Sequence, residues 1–358
     1  MDDLNQNPKL GSADRPNSYI GRSVPRERAK KLLEGKGKYV DDILLPRMVH
    51  LSYVRSPFAH AKIKSINTEN AKKIPGVLNV FTIDDIEKVC TPWQGVLGHL
   101  GEMRSPTQYP LAKDVVRWQG EPVAVVVANK RAVAEDALEL VEIDYEDLDA
   151  QLDMETAMDK STKVIHDDLG NNLFWTRTVN QGDVIEAFKQ SHIVEEVTLD
   201  FARHTGVTLE TRAIVADWDS SEERMTIYHN GQAPHMMQSI IAKHLNISEG
   251  LVRIISCDVG GSFGIKVHVY PDEMVTVAVS KLLKRPVKFV ADRLESYSTD
   301  IHSRCHKISG KIGVDDKGKI LAFEIDDLSG IGPFSVYPRT SAIETNQVLN
   351  LSAASYVV

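Results

Sequence analysis

Asp258-Val259-Gly260-Gly261-Ser262-Phe263-Gly264-Ile265-Lys266 stands between an apolar run at 251–256 and a segment, 271–283, that opens on Pro271 with Asp272 and Glu273 close behind. Proline at the first helical position and acids in the first turn suit a helix N-terminus. The stretch therefore reads as strand, glycine-rich turn, helix. Glycines at 260, 261 and 264 let backbone N–H groups approach a bound anion or oxo group closely. A plain tight turn uses the same residues, and that alternative stays open.

Working outward, strands are expected at 193–199, 207–209, 214–218 and 225–229. A helix is expected at 234–245, where Met237, Ile240, Ile241 and His244/Leu245 recur at helical spacing. Further strands fall at 287–291, 306–312 and 320–328, the last two joined through Asp315-Asp316-Lys317-Gly318 as a hairpin. Upstream, Glu121-Pro122 precedes a β-branched run at 123–128, the pattern of a strand buried on both faces. A helix at 130–140, with Val133, Ala137 and Leu138/Val141 on one stripe, and a strand at 141–145 follow. Strands at 48–54, 61–66 and 77–81 are separated by Ser56-Pro57 and Pro75-Gly76. The class is α+β, without internal repeats. It divides into a flexible tail at 1–18, a first domain at 19–150, a polar linker at 151–178 and a second domain at 179–358.

The 358 residues suit two or three domains, and 42% hydrophobic with 26% charged residues describes a globular chain, neither disordered nor collagen-like. A net charge of −8 lacks the positive field that nucleic-acid binding needs, so no nucleic-acid partner is expected. Cys90, Cys257 and Cys305 form no C-x-x-C pair and define neither a disulfide framework nor a thiolate metal site. The polar N-terminus does not read as a secretory signal, and no stretch is long and apolar enough for a membrane span. A soluble cytoplasmic protein is expected. The basic run at 26–38 reads as a solvated surface.

Gly260, Ser262 and Gly264 also fit G-x-S-x-G, the nucleophile elbow of serine hydrolases. An elbow needs its helix to begin at once, whereas residues 265–270 intervene before Pro271. Asp292, His302 and His306 are ordinary candidates for its partners. Neither H-E-x-x-H, nor a Walker motif, nor G-x-G-x-x-G is present, and His204, His235 and His244 read as surface or satisfied core residues. Gln232, between a strand and a helix, is placed to turn its amide toward a pocket at the helix mouth.

In order along the chain, several segments resemble the molybdenum hydroxylase family, which includes xanthine dehydrogenase, aldehyde oxidase and aerobic carbon monoxide dehydrogenase. Gly21-Arg22-Ser23-Val24-Pro25, residues 35–43 (Gly-Lys-Gly-Lys-Tyr-Val-Asp-Asp-Ile), Arg55-Ser56-Pro57-Phe58-Ala59-His60-Ala61 and Gly120-Glu121-Pro122-Val123-Ala124 are similar to the family's a/b hammerhead domain. Gln232-Ala233-Pro234-His235 resembles the glutamine segment beside the metal, and residues 260–266 resemble the glycine-phenylalanine loop along the molybdopterin cofactor. Residues 266–271, Arg285-Pro286-Val287-Lys288 and Asp292-Arg293 look most like carbon monoxide dehydrogenase-type large subunits.

The resemblance implies a hammerhead domain followed by the first part of a molybdopterin-binding mixed α/β domain. Gln232 would lie near the apical ligand of molybdenum, and Phe263 would flank the metal. Gly260, Gly261, Ser262, Phe263 and Gly264 would line the cofactor, expected in its cytosine dinucleotide form, with no residue ligating the metal directly. The implied reaction is hydroxylation of an aldehyde, carbon monoxide or an N-heterocycle with water as oxygen source, the first two ranked ahead. Electrons would leave through 2Fe-2S clusters on a small subunit to FAD on a medium subunit, since three scattered cysteines cannot hold a cluster here.

Two departures stand out. Ser262 replaces the family's usual third glycine, and the family's general-base glutamate and its substrate arginine or copper-ligating cysteine correspond to sequence beyond residue 358. A second half of the large subunit is therefore an expected partner. A non-catalytic fragment or binding subunit, and a serine hydrolase using Ser262, are the alternatives. Exposed apolar surface and poor stability of the lone chain are expected.

Overall fold

The apolar run at 123–128 becomes β5 (Pro122–Ala128), every residue of which is buried in the computed structural model. The structure describes residues 23–26 and 29–352; the expected tail at 1–18 lies outside them. Two units, one ending at Lys38 and one beginning at Tyr39, are described separately. In the first, α1 (Ala29–Leu33) carries Lys30 within ion-pair reach of Glu34, and the basic run is largely exposed.

The second unit holds the rest in chain order. β1 (Val49–Arg55), β2 (Ala61–Asn67), α2 (Glu69–Lys72), β3 (Val77–Phe81), α3 (Ile83–Ile86), β4 (Val115–Val116), β5, α4 (Arg131–Leu138) and β6 (Glu142–Asp147) come first. After residues 151–178 follow α5 (Val184–Gln190), β7 (Ile193–Phe201), β8 (Ala213–Asp219), β9 (Arg224–His229), α6 (Pro234–Leu245), β10 (Val252–Ser256), α7 (Pro271–Leu283), β11 (Val287–Val290), α8 (Arg293–Thr299), β12 (His306–Val314), β13 (Ile320–Ser329) and α9 (Ala342–Leu351).

A seven-stranded sheet, ordered β10-β9-β8-β11-β1-β5-β3, joins strands from before and after residues 151–178. Its seam is the parallel pair β1–β11, with Val49 opposite Val287. Side chains alternate across the sheet, which explains the unbroken apolar run of β5. Val125 and Val127 join Ile214, Phe289, Met237, Ile241, Met274 and Val277 in the main core, under α6 and α7. Ala124, Val126 and Ala128 face the other way onto Ala134 and Ala137 of α4. At roughly 1.5–3 kcal/mol per fully buried valine or larger side chain, this two-sided burial makes the sheet the main source of stability. Two three-stranded sheets, β13-β12-β7 and β4-β2-β6, complete the fold.

Most expected elements form, and the helices at 234–245 and 271–283 occupy the residues that the apolar spacing marked. The expected strand at 207–209 does not form. Val207 sits at φ 37°, and the Arg293 guanidinium donates to the carbonyls of Thr208 (2.7 Å) and Leu209 (2.8 Å), occupying acceptors that a ladder would need. The hairpin after β12 is as expected, with Asp315 Oδ1 accepting from the N–H groups of Lys317 and Lys319, both at 2.9 Å. No helix among the described residues is long and apolar enough to cross a membrane.

Candidate functional site

β9 and β10 are parallel neighbours, so their C-terminal ends, His229 and Ser256, leave the sheet at the same edge. In open α/β sheets such an edge is where ligands bind. The chain leaving β9 passes through Asn230-Gly231-Gln232-Ala233 into α6, and the chain leaving β10 enters the glycine loop. Asn230 staples the first exit: its Oδ1 accepts from Ala213 N–H (3.1 Å) and its Nδ2 donates to Thr211 O (2.8 Å). Gly231 is required next, because a Cβ there would stand 2.3 Å from the His229 ring.

Gln232 and the glycine loop meet. Gln232 Oε1 accepts from the Ser262 hydroxyl and from Gly264 N–H at 3.3 Å. Its carboxamide oxygen is thereby used on the loop, and its NH2 group is the end left to face outward on an exposed side chain. Phe263 adopts φ 51° and is 78% exposed, its ring lying over Gly261. Gly261 (φ 106°) and Gly264 (φ 92°) occupy the left-handed region that glycine tolerates, and the space where a Gly264 side chain would begin is open. Among the hydrogen bonds of the described residues, the N–H groups of Gly261, Ser262 and Phe263 have no acceptor. A group rich in acceptors, such as the phosphate, pterin and oxo atoms of a molybdenum cofactor, fits this open cradle of donors.

Beneath the loop lie residues that the sequence reading did not single out. Gly260 N–H donates to Glu210 Oε2 at 2.7 Å, and Glu210 N–H donates back to Gly260 O at 3.1 Å. A side chain at Gly260 would stand 2.5 Å from Glu210 Cβ. Lys266, buried, places Nζ 3.2 Å from the same Glu210 oxygen, while its carbonyl accepts from Gln232 N–H at 3.1 Å. Burial pulls the Lys266 pKa below the usual lysine range, against the opposing charge of Glu210.

Deeper still, Arg212 is wholly buried, with its guanidinium on both oxygens of Asp272, on Asp300 and over the Tyr270 ring, 3.8 Å from the centroid. Arg55 from β1 reaches the same Asp272 at 2.9 Å and Glu295 at 2.7 Å. Burial opposes the charges of Arg212 and Asp272, but each holds the other ionised, the arginine raised and the aspartate lowered. The signal available in sequence was Glu210 and Arg212, two residues apart directly before an apolar strand, where charge is not expected.

The residues weighed for an elbow lie in other arrangements. Ser262 donates to Gln232 and meets no imidazole among the described residues. His306 pairs with Asp327 at 2.8 Å, Asp292 caps α8 by accepting from Glu295 N–H at 2.7 Å, and a short turn at Ile265–Val267 precedes α7. His204 and His235 are exposed, and His244 is buried, its Nδ1 within 2.9 Å of the Thr91 hydroxyl and its Nε2 within 3.0 Å of Tyr337. No cluster of His, Cys, Asp and Glu among the described residues is arranged to hold a metal ion.

The molybdopterin cofactor-binding domain model matches residues 165–358, and the a/b hammerhead domain model of aldehyde oxidase and xanthine dehydrogenase matches 34–149. The chain is 35% identical to the nicotine 6-hydroxylase large subunit of Paenarthrobacter nicotinovorans, over 98% of this chain and 44% of the relative. It is 32% identical to the carbon monoxide dehydrogenase large chain of Hydrogenophaga pseudoflava, over 87% and 40% respectively. The crystal structure of quinoline 2-oxidoreductase from Pseudomonas putida 86 superposes with a TM-score of 0.88 at 31% identity, covering 92% of this chain and 42% of that one. The chain thus spans less than half the length of these relatives. With the two domain models matching successive regions, and large subunits of this kind matching almost the whole chain, the chain belongs to the molybdenum hydroxylase large-subunit family, as a hammerhead region followed by molybdopterin-binding sequence.

Proposed function

We propose that this chain forms the part of a molybdenum hydroxylase large subunit that holds one wall of the cofactor cleft. The observation that carries the reading is the clamp of Gln232 Oε1 on Gly264 N–H and Ser262, beside loop amides that have no acceptor among the described residues. When bound, the molybdenum-molybdopterin group, in cytosine dinucleotide form on this reading, supplies hydroxylation of a substrate carbon with oxygen from water. Gln232 offers its NH2 as a donor toward the metal's ligands. Gly260, Gly261, Ser262, Phe263 and Gly264 line the cofactor, with the exposed Phe263 ring shielding that side from water.

The division into 19–150, a linker at 151–178 and 179–358 belongs to the same proposal. So does the supply of the general base and the remaining cleft by sequence corresponding to the rest of the relatives, on this or a second polypeptide. Electrons would pass to 2Fe-2S and FAD subunits in a cytoplasmic complex. Among aldehydes, carbon monoxide and N-heterocycles, the names of nicotine 6-hydroxylase and quinoline 2-oxidoreductase favour an N-heterocycle.

The test is purification from the native source under non-denaturing conditions, with mass spectrometry of co-purifying chains and assay of molybdenum, iron and flavin. Stoichiometric molybdenum with iron–sulfur and flavin subunits is expected. A lone, metal-free chain would overturn the reading.

A further inference from the structure

We propose that Lys266 is the positioning residue of the cofactor loop, the point at which the chain leaving β9 and the chain leaving β10 are tied into one wall. The inference rests on the function proposed above and adds a role for a residue that neither touches the outer face of the loop nor lines it. Lys266 acts at both ends. Its carbonyl accepts from Gln232 N–H, and its buried ammonium meets Glu210, whose same oxygen accepts from Gly260 N–H. The loop is therefore fastened at Gly260 through Glu210, at Gly264 through Gln232, and at Lys266 itself. The N–H groups of Gly261, Ser262 and Phe263, which have no acceptor among the described residues, lie between these fastened points.

The packing leaves little alternative to this frame. A side chain at Gly260 would strike Glu210, and one at Gly231 would strike the His229 ring and approach Lys266 O at 3.2 Å. A lysine is almost never fully buried unless paired, and removing one member of a buried pair strands the other's charge. Without the ammonium, the Glu210 carboxylate would swing toward water and release Gly260. The Lys266 backbone would lose the anchor that holds its carbonyl under Gln232.

The experiment is hydrogen–deuterium exchange on the full chain without cofactor, paired with molybdenum content of the complex purified from cells. Lys266→Met should raise exchange at the Gln232, Gly260 and Gly264 N–H groups, the amides whose acceptors the frame supplies, by about tenfold or more, as expected for loss of a charged hydrogen-bond anchor, while β8, β9 and α7 stay protected. Molybdenum content should fall in parallel. Lys266→Arg should restore both. If Lys266→Met does not fold, Glu210→Ala, which removes both the partner of the ammonium and the acceptor of Gly260, is read the same way.

Unchanged exchange in the loop, or an equal rise across every element, would overturn the positioning role. Stoichiometric molybdenum in both wild type and Lys266→Met would overturn it too, leaving the cofactor reading intact. A loop loosened by Lys266→Met, with molybdenum absent from wild type as well, would uphold the positioning role and overturn the cofactor reading instead.

Discussion

Arg212, at the mouth of β8, and Asp272, in the first turn of α7, meet fork to fork: the two guanidinium NH2 groups lie 2.5 and 3.0 Å from the two carboxylate oxygens, with both side chains out of contact with water. Breaking such a buried pair on one side strands the other charge and costs roughly 3–5 kcal/mol. Arg212→Met and Asp272→Asn should each lower the unfolding free energy by that order in denaturant titrations. A loss below about 1 kcal/mol, the range of an exposed pair, would show that the site rehydrates.

Glu121 is buried and its pKa is pushed up to about 7 by desolvation, against the Arg117 N–H donated to it at 2.6 Å. A carboxyl whose folded pKa is raised binds its proton more tightly folded than unfolded. The contribution of Glu121 is therefore fully present below about pH 4.5 and is lost as pH rises through about 7, a decline of roughly 3 kcal/mol in all. Glu121→Gln should remove that decline, making the variant more stable than wild type at pH 8 and close to it near pH 4.5, as measured by urea unfolding at the two pH values.

His166 and His268 carry the opposite sign. Burial lowers each to about 4, with Arg117 adding to the effect at His166 and Arg339 at His268. His166 Nε2 lies 2.6 Å from Pro333 O, as expected of a neutral imidazole donating to a carbonyl. Their contribution is present above about pH 6.5 and is lost as pH falls from there to about 4, because the unfolded chain takes up the protons first. His166→Gln, which keeps a donor, should flatten part of this acid limb in melting temperatures recorded from pH 7 to 4.

One face of β7 presents Ile193, Val197, Leu199 and Phe201, each 46–55% exposed, on an edge strand. Long apolar edge strands are templates for aggregation. Val197→Lys together with Leu199→Lys should increase the soluble, monodisperse fraction of the chain in light scattering behind size exclusion. The change in unfolding free energy should stay within about 0.5 kcal/mol per site. Unchanged aggregation would place the sticky surface elsewhere.

Local signals in the sequence located the framework well. Pro234 and Pro271 open the two core helices, and the β-branched run at 123–128 marks the strand buried on both faces. Short helices such as α2, α3 and α5 were not read, because each has too few turns to display a periodicity. α8 carries a readable Asp292/Glu295 capping box but no apolar stripe. At the site, Gln232 and residues 260–264 were legible because glycines and a loop glutamine are visible one at a time. Glu210, Lys266 and Arg212 were not: their meaning lies in partners up to 88 residues away that only the closed sheet brings into register.

The parallel pairing of β1 with β11 has a bearing on modularity. Each of the two family-matched regions contributes strands to the same sheet, and Arg55 of β1 holds the carboxylate that Arg212 needs. Cutting the chain in the polar stretch between those regions would not release two self-sufficient pieces. It would open a new edge along Val287 and Phe289, and would remove one of the two arginines that neutralise Asp272. Exchange of parts among related large subunits is thus constrained to carry β1 and β11 together, so the unit of inheritance is the sheet seam rather than either sequence region.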